Sequence, residues 1–202
     1  MTRPSFRNTS RGGGAKAERD GASIFGSPFS QAQITHLMKT EFSRARRHGI
    51  PLSVAVFQVD RLRQLVDLHG SELRDTLRIQ IGRLIAESTR SSDFLGALAD
   101  DRFVVLMPHT EEASARRVAD RLIERFGNLE VTARGQALAL GLSAGVASNA
   151  DTETLFFDTM LSQAEIGLEW AGNDGGNVAR TFSRERFGRE GGVLPASGGE
   201  GA

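Results

Sequence analysis

Apolar residues recur at helical spacing in four stretches of the chain. The first stretch runs from Ile34 to Ala45, after Ser30, a favourable helix cap, and before Gly49, which can end a helix. In each stretch the apolar positions fall on one face, as in a helix that covers a core. The predicted helices lie between Ser30 and Gly49 and at about 72–88, 111–126 and 157–171. The pattern therefore predicts four helices with one buried face each.

Apolar runs between these helices predict strands. Residues 52–59 form a largely apolar run that ends at Asp60, which is typical of a strand buried on both faces. Two short runs at 94–98 and 103–107 are separated by residues 99–102, a spacing typical of a β-hairpin. Further strands are predicted near 128–133, 137–147 and 177–182. Because the hairpin interrupts the alternation of strands and helices, the pattern favours an α+β sheet covered by helices over a doubly wound fold.

The two ends of the chain differ in composition from its centre. Residues 1–24 are rich in Gly, Ser and Arg, and the chain ends in a stretch rich in Gly, Ser, Pro and Ala. Segments with so few apolar residues cannot offset their ordering entropy by burial. We therefore predict a disordered basic tail over residues 1–24, one domain over 25–183, and a disordered Gly-rich tail over 184–202.

Composition excludes several classes of function. The chain has no cysteine, so disulfides, thiolate zinc ligands and thiol nucleophiles are excluded, and its 4 histidines show no metal-binding spacing. Lys and Arg number 25 and Asp and Glu also number 25, a balance that argues against nucleic acid as a partner. No stretch approaches the roughly 18 apolar residues that a membrane helix needs, and the N-terminus lacks a secretory signal. We expect a cytoplasmic protein.

Four motifs occur in a fixed order and carry a family resemblance. They are RARRHGIPLSVAVFQVDRL at 44–62, LGALADDRFVVLMP at 95–108, LSAGVA at 142–147 and AEIGLEWAGNDGGN at 164–177. They resemble the first long helix and central strand, the signature hairpin, the SIGVA strand and the closing motif of the bacterial GGDEF (diguanylate cyclase-like) family. The resemblance implies a five-stranded, mainly antiparallel sheet wrapped by helices, as in nucleotide cyclases and polymerase palms.

The resemblance also implies that the catalytic site is degenerate. This family condenses two GTP molecules with Mg²⁺, a hard cation that needs carboxylate ligands. Gln58 stands at one implied metal-binding carboxylate, although Asp101 survives at the other. Ala99 and Asp100 replace the two signature glycines that let the backbone approach the nucleotide, and Arg102 replaces the usual glutamate. We therefore expect no catalytic residues, no bound metal, no cofactor and no enzymatic activity.

Other implied nucleotide contacts are also missing. Val66 stands where the family has a guanine-binding Asn, Gly172 and Gly176 stand at the phosphate-binding Lys and Arg of the closing motif, and Asp75 alone keeps a guanine-contacting identity. Asp60 remains acidic and could pair with Asp101 around a metal ion. We favour the simpler interpretation that Asp60 caps a helix that begins at the next residue.

One ligand site of the family is retained. Many members carry an R-x-x-D element before the signature hairpin that binds cyclic di-GMP, and here it is Arg90-Ser91-Ser92-Asp93. A further arginine of that site matches Arg121. A guanidinium can bind a phosphate or the O6/N7 edge of guanine in a bidentate manner, and a carboxylate can accept from guanine N1 and N2. The resemblance therefore implies a cyclic di-GMP site at Arg90, Asp93 and Arg121.

Three functions remain open at this point. The chain can be a cyclic di-GMP receptor that signals to an unidentified protein partner, alone or as a homodimer. It can be a nucleotide-free scaffold that binds a protein such as an active cyclase, in which case Arg90 and Asp93 form only a local turn. It can also be a weak enzyme that uses Asp60 and Asp101, which predicts Mg²⁺-dependent turnover that Asp101→Ala abolishes.

Overall fold

A computed structural model describes residues 28–150 and 154–192. Its helices are α1 (Gln31–His48), α2 (Leu62–His69), α3 (Ser71–Ser88), α4 (Glu112–Gly127), α5 (Phe157–Asn173) and α6 (Arg184–Arg189). Its strands are β1 (Leu52–Val59), β2 (Phe94–Ala97), β3 (Phe103–Pro108), β4 (Thr132–Ala133), β5 (Gln136–Ala137), β6 (Leu142–Ser148) and β7 (Ala179–Thr181). Parts of the predicted organisation lie outside the described residues. They are the predicted basic tail (1–24), residues 25–27 of the predicted domain and residues 193–202 of the predicted Gly-rich tail.

Five of the strands form one sheet in the order β2-β3-β1-β6-β7. All neighbours pair antiparallel except β6 and β7, which pair in parallel. The predicted α+β fold with a five-stranded, mainly antiparallel sheet wrapped by helices is therefore confirmed. Among the described residues, no helix is both long and apolar enough to cross a membrane.

The sheet buries both of its faces, which explains the apolar run in β1. Ala55 and Phe57 point to a core shared with α2, α3 and α4, whereas Val54 and Val56 point to a second core shared with α1 and α5. Helix α5 lies very close to β6, because a Cβ at Gly145 would lie only 1.9 Å from the backbone oxygen of Ala164. The central strand therefore packs against helices on both sides, including α3, which leads into the turn with Arg90 and Asp93, and α4, which carries Arg121.

Two predictions from the sequence are wrong in part. Strands were expected near 128–133 and 137–147. The structure instead has two paired strands of two residues each, β4 and β5, followed by the longer strand β6. The tail expected from residue 184 starts instead with α6. Phe187 of this helix packs against Phe182, which stacks on the buried Trp170. Contacts between these three aromatic residues therefore hold α6 against the domain, although its own sequence has few apolar residues. Trp170 is part of the interior.

Candidate functional site

The signature hairpin forms a tight turn between β2 and β3. The backbone N–H of Leu98 donates to the carbonyl of Arg102 at 2.8 Å, and the N–H of Arg102 donates to the carbonyl of Ala99 at 3.3 Å. Asp100 and Asp101 both have φ of 57°. This left-handed conformation is unstrained for glycine and costs other residues about 1–2 kcal/mol, although aspartate tolerates it better than most. The hairpin has therefore kept the backbone geometry of a glycine turn without the glycine.

Asp101, the surviving signature carboxylate, is held by two arginines of α3. Its Oδ2 lies 3.2 Å from Nε of Arg74, and its Oδ1 lies 3.5 Å from Nη1 of Arg78. The Asp101 side chain is only 18% exposed. Two guanidinium groups thus occupy the neighbourhood of the carboxylate that the family resemblance assigns to metal binding.

The other replaced positions also have protein partners. Nη1 of Arg102 lies 2.8 Å from Oε1 of Glu165 on α5, so the residue that replaces the signature glutamate ties the hairpin to a helix. Nε2 of Gln58 donates to the backbone carbonyl of Asp100 at 3.3 Å. These contacts link the hairpin to α5 and to the end of β1 by an ion pair and a hydrogen bond.

Asp60 does not cap α2, and the prediction that it does so is wrong. The N-cap position is Arg61, with φ of 54° and no side-chain cap hydrogen bond. Oδ1 of Asp60 instead accepts from Oγ of Ser143 at 2.6 Å, and Oδ2 accepts from the backbone N–H of Asn177 at 2.7 Å. A Cβ at Gly176 would lie 2.8 Å from Oδ2 of Asp60. Asp60 therefore fixes the loop before β7.

These residues do not fit the magnesium ions that the family resemblance implies. Asp60 and Asp101 each have protein partners, and Gln58 provides no charge. Within residues 28–150 and 154–192, no group of three or more His, Asp or Glu side chains is placed to hold a metal ion. Val66 is partly buried against the core, and a Cβ at Gly172 would meet open space.

A second region of the surface brings the retained ligand motif together. The end of α3, the turn that follows it and one face of α4 enclose a cavity of about 280 Å³. Arg90, Asp93 and Arg121, which are separated in sequence, all line this cavity. The three residues that the sequence analysis assigned to one site are therefore neighbours in the fold.

The turn between α3 and β2 presents the Arg90 and Asp93 side chains. The backbone N–H of Arg90 donates to Oδ2 of Asp93 at 2.8 Å, and the N–H of Asp93 donates to the carbonyl of Arg90 at 3.0 Å. Burial raises the pKa of the Asp93 carboxyl, and the backbone hydrogen bond and the charge of Arg90 partly oppose this effect. The Arg90 side chain is exposed, and its guanidinium has no hydrogen-bond acceptor among the described residues.

Helix α4 supplies two arginines to the cavity, one of which the sequence analysis missed. Arg117 lines the cavity one helical turn before Arg121 and donates to Oγ of Ser114 at 2.8 Å. Nη2 of Arg121 donates to the backbone carbonyl of Ser88 at 2.6 Å. The spacing of four residues between the two arginines places them on one face of the helix, but many arginines of this chain share such spacings, so the pattern did not single out Arg117.

The charge of the cavity suits an anionic ligand. Its titratable lining consists of Arg90, Arg117 and Arg121 with Asp93, which gives three positive charges against one negative charge, a net of +2 when Asp93 is ionised. Guanidinium groups bind phosphate oxygens in charge-assisted pairs, and the carboxylate adds an acceptor for N–H donors. The arrangement can bind a phosphate-containing ligand that also carries N–H groups.

Comparison with known proteins places the chain in a family. The profile described as "Diguanylate cyclase, GGDEF domain" matches residues 29–178. Diguanylate cyclase DosC of Escherichia coli (strain K12) is 30% identical over 112 residues, which are 55% of this chain and 24% of that protein. The chain therefore corresponds to about a quarter of the length of this relative.

Solved structures share the fold at lower identity. The active GGEEF domain of a diguanylate cyclase from Vibrio cholerae superposes with a TM-score of 0.72 at 18% identity, over 78% of this chain and 99% of that one. The GGDEF domain of DgcB from Caulobacter crescentus, in complex with c-di-GMP, gives 0.72 at 13% identity, over 77% and 92% of the two chains. The chain belongs to the GGDEF domain family of diguanylate cyclases.

Proposed function

We propose that this GGDEF domain does not synthesise cyclic di-GMP but binds it, at the cavity lined by Arg90, Asp93, Arg117 and Arg121, and passes the signal to a protein partner. In this proposal the ligand's phosphates pair with the arginines, and its guanine N–H groups donate to Asp93. The ligand is then the only small molecule that the domain requires.

The convergence of the cavity residues is the observation that carries the proposal. Arg90 and Asp93 lie on the turn after α3, whereas Arg117 and Arg121 lie on α4, and all four line one cavity. The Arg90 guanidinium is exposed and has no acceptor among the described residues, so it needs no rearrangement to bind a phosphate. Each charge-assisted hydrogen bond contributes about 1.5–3 kcal/mol.

The state of the signature hairpin supports the absence of catalysis. Asp101 is paired with two arginines, and Gln58 and Asp60 are engaged within the protein. Mg²⁺ at Asp101 would lie beside two guanidinium groups of like charge and would find a neutral amide at Gln58. The pattern of replacement in one site and retention in the other supports a receptor rather than a cyclase.

The proposal is tested by calorimetric titration of the purified chain with cyclic di-GMP, and with GTP plus Mg²⁺ in parallel. We expect saturable binding of cyclic di-GMP and no heat from GTP. Arg90→Ala should weaken binding about 10- to 100-fold, the equivalent of one or two charge-assisted contacts. Arg47→Ala is the matched control, because Arg47 is exposed at the end of α1 and does not line the cavity. Equal affinity of Arg90→Ala and the wild type would refute the assigned site.

A nucleotide-free scaffold is the second candidate, and two exposed side chains favour it. Leu68 on α2 and Ile79 on α3 are 66% and 72% exposed. In this candidate the two side chains belong to a contact surface for a partner, since contiguous exposed apolar patches mark protein contacts. This candidate predicts that a captured partner binds equally well to the wild type and to Arg90→Ala, with or without cyclic di-GMP.

A further inference from the structure

The C-terminal end of α3 is held by arginines from α4. Helix α3 ends at Ser88, and the carbonyl of this last residue has no N–H partner within the helix, whereas the Ile85 carbonyl accepts from Thr89. Nη2 of Arg121 donates to the Ser88 carbonyl at 2.6 Å, and Nη1 of Arg125 donates to Oγ of the same residue. A positive charge at this end also complements the helix dipole. Arg121 therefore acts as a cap of α3 supplied by another helix.

The same guanidinium lines the ligand cavity. Arg121 lies beside Arg90 and Asp93 there, and it is exposed on the cavity side. A phosphate that binds Arg121 through its Nη2 group competes with the Ser88 carbonyl for that group. A phosphate oxygen carries charge, and a carbonyl oxygen does not, so the guanidinium pairs more strongly with the phosphate.

We propose that Arg121 is a switch: an anion bound in the cavity draws Arg121 away from Ser88 and uncaps the last turn of α3. This inference rests on the proposed function for the identity of the ligand, but the capping role belongs to the free protein. Two states of the last turn, capped and uncapped, then differ in their affinity for the ligand, which is the requirement for a ligand-driven change.

Arg125 and Arg117 have separate places in this switch. Arg125 contacts Ser88 and also lies 3.8 Å from Glu87, but it does not line the cavity, so it stays at the helix end when Arg121 leaves. Arg117 lines the cavity but donates to Ser114 rather than to α3. Loss of Arg117 removes a ligand contact and leaves the cap intact, which makes it the matched control.

Amide hydrogen exchange of the full chain, resolved to the last turn of α3, tests the switch. In the free protein, Arg121→Gln should speed exchange of the amides of residues 86–89 about two- to five-fold, the range expected from a lost helix-end charge. Arg117→Gln should leave these amides unchanged. Equal exchange in Arg121→Gln and the wild type would overturn the capping role.

The second arm adds cyclic di-GMP to the wild type, with binding measured by calorimetry on the same sample. Faster exchange at residues 86–89 with saturating ligand supports the switch. Calorimetric binding with unchanged or slower exchange there overturns it and leaves the receptor function intact. Absence of calorimetric binding overturns the proposed function and the ligand-driven switch together, whereas binding without the change in exchange overturns the switch alone.

Discussion

Neutralising Asp101 by Asp101→Asn is expected to lower the free energy of unfolding by about 1–2 kcal/mol. The substitution removes two ion pairs, to Arg74 and Arg78 at 3.2 and 3.5 Å. Exposed pairs contribute about 0.2–1 kcal/mol each, and the arginines are 42% and 49% exposed. Asp101 is only 18% exposed, which limits solvent screening and favours the upper part of that range.

Thermal unfolding is the assay, and the expected loss corresponds to a decrease in Tm of about 2–8 °C for a chain of this size. The difference should shrink in 1 M NaCl, where the Debye length falls to about 3 Å. Asp67→Asn is the matched control, because Asp67 is exposed on α2 and has no ion pair among the described residues. This control should have nearly the same Tm as the wild type.

The sign of the change separates the two interpretations of this carboxylate. A carboxylate kept for metal binding is commonly unfavourable for the fold in the absence of metal, so its removal stabilises the protein. A carboxylate that holds the hairpin to α3 stabilises the fold, so its neutralisation is destabilising. An Asp101→Asn variant that is as stable as the wild type, or more stable, would refute the idea that the ion pairs of Asp101 stabilise the packing of the hairpin against α3.

Three further predictions follow from the cavity and from the C-terminal helix. Arg117→Ala should weaken cyclic di-GMP binding about 10-fold or more in calorimetry, whereas Arg116→Ala should not, because Arg116 pairs with Asp120 outside the cavity. Because burial raises the pKa of Asp93 and the ligand needs its ionised form, affinity should fall as the pH is lowered toward that pKa, above the ordinary 3.8, and Asp93→Asn should remove this dependence. Trp170 is the single tryptophan, and its ring centroid lies 4.6 Å from the guanidinium carbon of Arg186 on α6. Arg186→Ala should therefore shift the tryptophan fluorescence to longer wavelength and lower the Tm by a few degrees. An unchanged Tm would show that this contact of α6 contributes nothing to stability.

The elements that the sequence predicts well are those with a strong local burial pattern. The stripe from Ile34 to Ala45 and the capping residues Ser30 and Gly49 define α1 correctly, because each feature lies within or beside the helix itself. Strand β1 was also predicted over its full length, since both of its faces are buried.

The errors arise where distant residues determine the structure. Aspartate is a favourable helix-capping residue, and Asp60 directly precedes α2 and its N-cap residue. Its carboxylate oxygens instead accept hydrogen bonds from Ser143 and Asn177, which are 83 and 117 positions away. Residues 137–147 were expected to form one strand, but β5 ends at Ala137 and β6 begins only at Leu142. Between them Gly141 lies so close to Asp60 that a Cβ there would be 2.5 Å from Oδ2 of that residue. No local pattern contains this information.

The candidate ligand site shows the same division. Arg90, Asp93 and Arg121 were assigned from the family resemblance, and the fold brings them to one cavity. Arg117 shares a helix face with Arg121, but in a chain so rich in arginine this spacing alone does not single it out. The ion pairs of Asp101 with Arg74 and Arg78 were not predicted. Both arginines belong to α3, which comes close to the hairpin only in the folded chain.

The central claim, retained binding without catalysis, is tested most directly by equilibrium dialysis of the wild-type chain against a mixture of cyclic di-GMP and GTP with Mg²⁺, with both nucleotides quantified on each side by chromatography. We expect an excess of cyclic di-GMP on the protein side, equal GTP on the two sides and no increase in total cyclic di-GMP. New cyclic di-GMP formed from GTP would contradict the loss of catalysis, and an equal distribution of cyclic di-GMP would contradict the receptor function.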